Sequence, residues 1–423
     1  MTGNKHTIGF LGLGNIGAPT YKLLNERFGD KFFVKYALVK DLNKKRENLP
    51  GNILTNDPDI ILNDPDVDIV VEFLGGVEPA WQYMNTALKN GKNVVTANKA
   101  ALAAKWDELN KSALSTGAGI YFEATCCTGI PIISSLKNSL QANKISRLLG
   151  IINGTTNFIL SKMNNEGLPY SEALSLAQRY GLAEPDPSAD VSGFDAANKL
   201  SILLSLATRV KISIDDVFME TITNVTMRDI KYGQDMGLCL KYLAIGKRKG
   251  NNIEARVHPT LIPCTHPLAS VQDSYNAVLL TGDVVEDLMF YGKGAGQNST
   301  ASALISDIFN AASTPKGLHA SYTDEVTARK EIMINEDWEC EYFLRVNLLD
   351  KPGMLARVAD VLGQCDISIA KVVQTEIGKS HVPVVFLTHT AFESKMRKAI
   401  KMLNSRLKSD CGIESLLRVE RGI

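Results

Sequence analysis

The sequence predicts an α/β protein in three parts: a doubly wound parallel sheet, an α+β domain, and a small C-terminal unit of order βαββαβ. Three observations predict it. Short apolar runs alternate with helix-period segments through the first third of the chain. From about residue 145 helices come first and longer strands follow. From Glu341 the pattern becomes that of a split βαβ unit, with enough residues to fold around its own core.

In the first part, Thr7–Leu11, Phe33–Val39, Ile69–Leu74, Asn93–Thr96 and Ile120–Phe122 read as strands, with helices over Ala18–Arg27, Pro79–Lys89 and Ala100–Ser115. The run Val70-Val71-Glu72-Phe73-Leu74 is nearly all apolar, as a strand covered on both faces must be. In the second part the helices are Tyr170–Tyr180, Asp195–Arg209 and Met227–Gly237, and the strands Leu240–Lys247, Ile253–Leu261 and Ala277–Gly282. In the tail, strands Tyr342–Leu348, Ile367–Gln374, Val382–Thr388 and Ile413–Val419 enclose helices Gly353–Gln364 and Ser394–Lys408. The expected domain limits are 1–144 (completed by 297–320), 145–313, a linker over 314–340 with its Thr314-Pro315-Lys316-Gly317 start, and 341–423.

Composition narrows the class. The 423 residues carry 46 basic and 46 acidic side chains, so no global field draws the protein to nucleic acid or an anionic membrane. No run of 18 apolar residues offers a membrane span, and no basic segment with an apolar stretch marks an export signal. Seven scattered cysteines contain no Cys-x-x-Cys pair and read as reduced, buried thiols. Six dispersed histidines suggest no metal site, and His258 and His266 read as structural. The expectation is a cytoplasmic protein with neither nucleic-acid nor membrane partners. Too few residues precede Thr7 in this sequence for a fused kinase to be expected.

Gly12-Leu13-Gly14-Asn15-Ile16-Gly17 follows the first strand and opens the first helix. Gly12 permits the tight turn, Gly14 lets a pyrophosphate approach the backbone, and Gly17 allows close helix–strand packing. The phosphates would lie on the helix N-terminus, where unpaired N–H groups favour negative charge. This context makes the first domain a Rossmann-type dinucleotide fold. The second strand ends Val39-Lys40-Asp41. Lys40, with Lys44, Lys45 and Arg46 nearby, favours the 2′-phosphate of NADP, and Asp41 keeps NAD as the alternative.

More specific runs follow: Glu72–Ala80, Gly91–Ala101, Asn153-Gly154-Thr155-Thr156-Asn157, Glu184-Pro185-Asp186-Pro187, Gly193-Phe194-Asp195 through Lys199, Arg256–Pro259 and Tyr291–Gly296. Together, and in this order, they resemble homoserine dehydrogenases over nearly all of residues 7–310. The resemblance implies NAD(P)H-dependent, reversible reduction of L-aspartate 4-semialdehyde to L-homoserine, on the route to threonine and methionine. Hydride addition to an aldehyde creates an alkoxide that needs a proton at the same moment. The resemblance makes Lys199 that proton donor, with Lys99 beside cofactor and substrate. Glu184 and Asp195, supported by Asp190, match the acids that bind substrate. Leu13, Asn15, Ile16, Thr96, Lys99, Gly181, Glu184 and Gly296 join Gly12, Gly14, Gly17 and Lys40 as cofactor contacts. Asp195 and Lys199 stand four apart on an expected helix and so share a face; spacing alone would equally describe a surface ion pair.

The segment Glu123–Pro131 lies where the family binds sodium through backbone carbonyls, here those of Glu123, Cys126, Thr128 and Ile130. Carbonyl oxygens suit a hard cation whatever the side chains. Cys126-Cys127-Thr128 departs from the family's small-apolar and glycine pattern, and Thr128 would have to tolerate a glycine-like conformation. The thiols, lacking a partner histidine, read as buried small residues. Lys293, where proline is usual, is a second departure.

Asp350-Lys351-Pro352-Gly353-Met354-Leu355, with the ferredoxin-like βαββαβ order, resembles an ACT domain. That implies an amino-acid effector, threonine first, and a tail removable at Trp338 that leaves an active, unresponsive enzyme. Independent packing without ligand is the alternative. The family implies a homodimer or homotetramer. Two other functions stay open on sequence: a dehydrogenase for another amino-acid semialdehyde, and a non-catalytic sensor.

Overall fold

A computed structural model describes residues 5–44, 46, 49–315, 332–375 and 380–422. The chain forms two compact units: Met1–Ser146 with Asn198–Ile214 and Asn276–Glu331, and Arg147–Ala197 with Asp215–Tyr275 and Ile332–Ile423. This grouping cuts across the domain limits expected from the sequence. Lys45 and much of the expected linker, 316–331, lie outside the described residues.

The first unit holds a six-stranded parallel sheet. Its spatial order is Leu54–Thr55, Phe32–Leu38, His6–Leu11, Ile69–Glu72, Asn93–Thr96, Ile120–Tyr121. The first strand lies between the second and fourth, so the order reverses beside it; in open α/β sheets that switch point is where ligands bind. Ile69–Glu72 is buried at every residue, as its apolar run requires. It ends two residues earlier than expected because the Glu72 carboxylate takes the N–H groups of Leu74 and Gly75, at 2.6 and 3.2 Å. Helix Gln297–Ser313 returns to this sheet. Leu304 and Ile308 join Ile8, Phe10, Val71 and Val95 in one core, and Asn93 donates to the Ala311 carbonyl at 3.0 Å.

The second unit is built on a mixed sheet with the order Ile145–Ile151, Leu238–Lys249, Asn252–Pro263, Cys411–Val419, Glu339–Leu349, His381–Thr388, Ile369–Gln374. The strands Leu238–Lys249 and Asn252–Pro263 form a long antiparallel pair from Lys249↔Asn252 to Leu238↔Pro263. The tail keeps its expected βαββαβ order, with helices Met354–Gln364 and Glu393–Arg406 over its strands. Tyr342, Leu344, Val346, Val358, Leu362, Met396 and Leu403 share its core; burying each aliphatic side chain contributes about 1.5–3 kcal/mol.

This packing argues against the detachable tail expected from the sequence. The last strand of the tail pairs in parallel with Asn252–Pro263, at Thr260↔Arg418 and Leu261↔Val419, and the Glu420 N–H adds a bond to the Leu261 carbonyl at 2.9 Å. Trp338, where the tail would be removed, is 1% exposed, with its ring 5.0 Å from that of Phe218. One continuous sheet carries both segments, so removing the tail bares the edge of Asn252–Pro263.

Candidate active site

The glycine turn has the geometry its sequence demands. Gly12 has φ of +112°, a conformation L side chains rarely adopt. A Cβ on Gly17 would stand 2.7 Å from the Gly12 carbonyl, so only glycine lets the helix start this close. A Cβ on Gly14 would meet nothing within 4 Å, which leaves the face open where a pyrophosphate must approach. No side chain caps helix Gly17–Phe28, so its first-turn N–H groups suit an anion. A dinucleotide fits this cradle. Leu13 is buried beneath the turn, while Asn15 is exposed on it.

Register places Lys40 and Thr96 at the same edge. Leu11 pairs with Leu38 and with Glu72, and Glu72 pairs with Thr96. Gly12, Lys40 and the segment after Thr96 therefore leave the sheet at its carboxyl end. Lys40 is exposed there, and Arg46 donates to the carbonyls of Asp41 and Lys44. Glu72, fully buried, accepts the Thr96 hydroxyl at 2.6 Å. The Asn98 amide donates to the Gly76 carbonyl at 2.7 Å, and its oxygen caps the next helix at the Ala101 N–H. Lys99 is the first residue of that helix, so this network fixes where Lys99 begins. Sequence reasoning assigned no role to Glu72 or Asn98; an acid inside an apolar strand was the available signal.

The loop over 123–130 is held from several sides. The Glu123 N–H bonds Asp307 at 2.7 Å, and the Glu123 carboxylate accepts from the N–H groups of Ile133 and Ser134 at 2.9 and 2.7 Å. Burial pushes Asp307 up to about 8. The left-handed residue is Cys127, with φ of +52°, rather than Thr128. The Thr128 hydroxyl is 3.1 Å from that of Ser299, which donates to the Gly296 carbonyl at 2.9 Å, bringing Thr128 and Gly296 together. The Gly129 N–H bonds the Lys293 carbonyl at 2.9 Å, and a Cβ on Gly129 would come within 2.4 Å of that oxygen. Lys293 acts here through its backbone while its side chain is exposed, which is why lysine can replace proline. The Glu123 and Ile130 carbonyls each accept one loop N–H, from Cys126 at 3.4 Å and Ile132 at 2.8 Å.

Cys126 and Cys127 are fully buried, and burial pushes the Cys126 thiol up to about 12, which makes it inert. Opposing that rise are the charges of Lys199 and Lys99, and the Cys126 sulfur lies 3.9 Å from the Lys199 carbonyl. The charges of both lysines thus act on one buried thiol in the first unit.

In the second unit one residue gathers the acids. The Asn153 amide donates to Asp190 at 2.7 Å and to Asp195 at 2.8 Å, while its oxygen accepts the Thr156 N–H at 2.8 Å and caps helix Gly154–Glu166. Asn153 was missed as a site residue; an N-cap asparagine before a helix was its signal. Asn157 in the same motif is a clamp, donating to the carbonyls of Val271, Asp273 and Tyr275. Asp195 is buried and Asp190 half-buried. Gly181 ends helix Tyr170–Arg179 with φ of +69°; beyond it Glu184 is exposed, its carbonyl taking the Gln178 amide at 3.2 Å.

The parallel sheet of the first unit, with the glycine turn at its carboxyl end, is that of a nicotinamide-dinucleotide-binding fold. The homoserine dehydrogenase profile matches residues 131–309, the profile for the NAD-binding domain of that enzyme matches 12–123, and an ACT domain matches 342–407. The chain is 37% identical to homoserine dehydrogenase of Bacillus subtilis over 98% of each protein, and 40% identical to that of Synechocystis over 97% of this chain and 99% of the other. The crystal structure of a homoserine dehydrogenase from Thiobacillus denitrificans superposes with a TM-score of 0.90, at 36% identity over 99% of both chains. A hyperthermophilic archaeal homoserine dehydrogenase in complex with NADPH gives 0.62 at 26% identity, over 74% of this chain and 99% of that one. The chain belongs to the homoserine dehydrogenase family. It catalyses the family's reaction, the NAD(P)H-dependent, reversible reduction of L-aspartate 4-semialdehyde to L-homoserine. The sensor and other-semialdehyde alternatives give way to that assignment. No helix among the described residues is long and apolar enough to cross a membrane.

Proposed function

We propose that Lys199 delivers the proton that this reduction needs, with Lys99 beside it orienting substrate and cofactor. The observation that supports the reading is that the charges of both lysines act on the buried Cys126 thiol, whose sulfur lies 3.9 Å from the Lys199 carbonyl. A bound nicotinamide supplies the hydride to the aldehyde carbon. Lys199 gives its proton to the developing alkoxide oxygen and is recharged from solvent; in the reverse direction its neutral amine removes the hydroxyl proton. Glu184 and Asp195 hold the substrate ammonium, and Asp190 supports Asp195 through their shared Asn153 amide.

Gly12, Leu13, Gly14, Asn15, Ile16 and Gly17 seat the pyrophosphate, and Thr96, Lys99, Gly181, Glu184 and Gly296 complete the cofactor contacts. Lys40 selects NADP over NAD by pairing with the 2′-phosphate. The carbonyls of Glu123, Cys126, Thr128 and Ile130 hold sodium. The turn at Gly353, open at its Cα and leading an uncapped helix, takes the carboxylate of an amino-acid effector, threonine. The enzyme works in the cytoplasm as a homodimer or homotetramer.

The Lys199→Ala variant tests this reading. Turnover should fall by about 10²–10⁴-fold while NADPH binding, followed by cofactor fluorescence, stays within twofold. Turnover within a few-fold of the wild type would remove Lys199 from the role.

A further inference from the structure

We infer that Glu220 and Tyr242 are positioning residues through which the C-terminal tail holds the substrate-binding acids. The inference rests on the reading of Asp190 and Asp195 as substrate ligands and adds how they are kept in place.

The chain of contacts starts in the tail. Arg418 is almost wholly buried and grips Glu393 with two nitrogens, at 3.2 and 2.7 Å. Glu393 also accepts the Tyr342 hydroxyl at 2.9 Å and Arg397 at 3.0 Å, so this carboxylate cannot swing away without leaving four donors on three residues unmet. The remaining Arg418 nitrogen reaches out of the tail to the Glu220 carboxylate. Next to Glu220, Phe218 is held between the guanidinium groups of Arg397 and Arg418, each 5.2 Å from its ring centre. The short strand Phe218–Met219 pairs in parallel with Asn252–Pro263 at Arg256 and Val257, and the Glu220 N–H bonds the Val257 carbonyl at 2.9 Å. Side chain and backbone of Glu220 are thereby fixed from opposite sides.

From this segment two bonds run to the turn that carries the acids. The Thr221 hydroxyl donates to the Val191 carbonyl at 2.8 Å, and the Ile222 N–H donates to the same oxygen at 3.1 Å. Val191 adjoins Asp190. A third link runs through Tyr242, which is buried and donates its hydroxyl to the Glu220 carbonyl at 2.7 Å. That hydroxyl occupies the space a side chain on Gly193 would need: a Cβ there would lie 2.2 Å from it. Gly193 has φ of +96°, its N–H bonds the Asp190 carbonyl at 3.2 Å, and its carbonyl takes the Ala197 N–H at 2.8 Å. It is therefore the hinge between Asp190 and helix Phe194–Thr208, which carries Asp195 in its first turn. Tyr242 presses on that hinge from the Glu220 side, and Asn153 ties the two carboxylates together beyond it.

None of the residues in this chain of contacts belongs to the glycine turn, so its loss should be read in the amino-acid substrate and not in the cofactor. A merely structural role would lower stability and both affinities together.

The test uses the full-length enzyme oxidising homoserine with NADP. Asp195→Asn is the reference and should raise the homoserine KM at least tenfold. Tyr242→Phe and Glu220→Gln should each raise it about three- to tenfold, leave the NADP KM within twofold, and leave the thermal midpoint close to that of the wild type. Arg418→Gln should raise the homoserine KM likewise but also lower the thermal midpoint, because it leaves the Glu393 carboxylate buried without its partner; combining it with Tyr242→Phe should give less than the product of the single KM effects, because both act through Glu220. If Asp195→Asn raises the homoserine KM but Tyr242→Phe and Glu220→Gln leave it unchanged, or raise both KM values equally, the inference is overturned. If Asp195→Asn itself has no effect, the reading of the substrate acids fails and the inference falls with it.

Discussion

Arg345 and Asp229 form an ion pair at 2.8 Å, with only 3% and 0% of their side chains exposed. Arg345 lies in the first strand of the C-terminal tail, and Asp229 closes the capping box of helix Met227–Asp235 in the substrate half. Arg345 also bonds Glu414 and the Thr226 hydroxyl. Breaking a buried pair by removing one partner leaves a charge in a medium that cannot solvate it, which costs about 3–5 kcal/mol. Arg345→Ala should therefore lower unfolding stability by that amount in a denaturant titration. Ending the chain after Trp338 also strips Glu220 of Arg418 and Arg256 of Glu420, and should leave the second unit unable to fold. A soluble, active truncated enzyme would show that the tail packs on without supporting what lies beneath it.

His258 makes stability fall in mild acid. Its Nε2 lies 3.2 Å from a nitrogen of Arg256, which can only donate, so the ring proton sits on Nδ1, toward the Pro259 carbonyl at 3.1 Å and Thr260 Oγ1 at 3.0 Å. Burial, then the charges of Arg418, Arg256 and Lys247, hold the folded-state pKa well below 6.5. The unfolded chain takes up a proton below that pH and the folded protein does not. Stability is thus fully present above about pH 6.5 and lost below it, by up to about 1.4 kcal/mol per pH unit. His258→Gln should flatten the decline in melting temperature between pH 7 and 5. Parallel declines in variant and wild type would assign the acid sensitivity to other groups.

Lys40 should discriminate between cofactors. Lys40→Ala is expected to raise the NADPH KM about tenfold and the NADH KM little, because only a 2′-phosphate loses a charge-assisted bond. Equal losses with both cofactors in steady-state kinetics would show that Lys40 points elsewhere.

Local chemistry made much of this molecule legible before its structure. The glycine turn, the buried Ile69–Glu72 strand and the alternating helices are properties of contiguous residues, and they appear within a residue or two of where periodicity places them. The ion pairs that bind the tail are not local. Arg345 and Asp229 lie 116 residues apart, and Arg418 and Glu220 lie 198 apart, so no spacing rule could join them. What the sequence did offer was arginine inside otherwise apolar strands, at 256, 345 and 418, which demands a buried acid somewhere. Asn153 was hidden for a different reason. Its capping role is written in the helix that follows, but its amide bonds to Asp190 and Asp195 depend on a turn set by Gly193 and Tyr242.

The most direct test of the division of labour in the active site compares two substitutions in one assay, homoserine oxidation by the full-length enzyme with NADP. Lys199→Arg keeps a positive charge but cannot give up its proton at neutral pH. Glu184→Gln removes a charge from an exposed side chain. The account predicts a fall in kcat of about 10²-fold or more for Lys199→Arg with the homoserine KM within about threefold, and a rise in that KM of about tenfold for Glu184→Gln with a far smaller change in kcat. A Lys199→Arg enzyme that keeps wild-type kcat, or a Glu184→Gln enzyme that keeps wild-type KM, would contradict it.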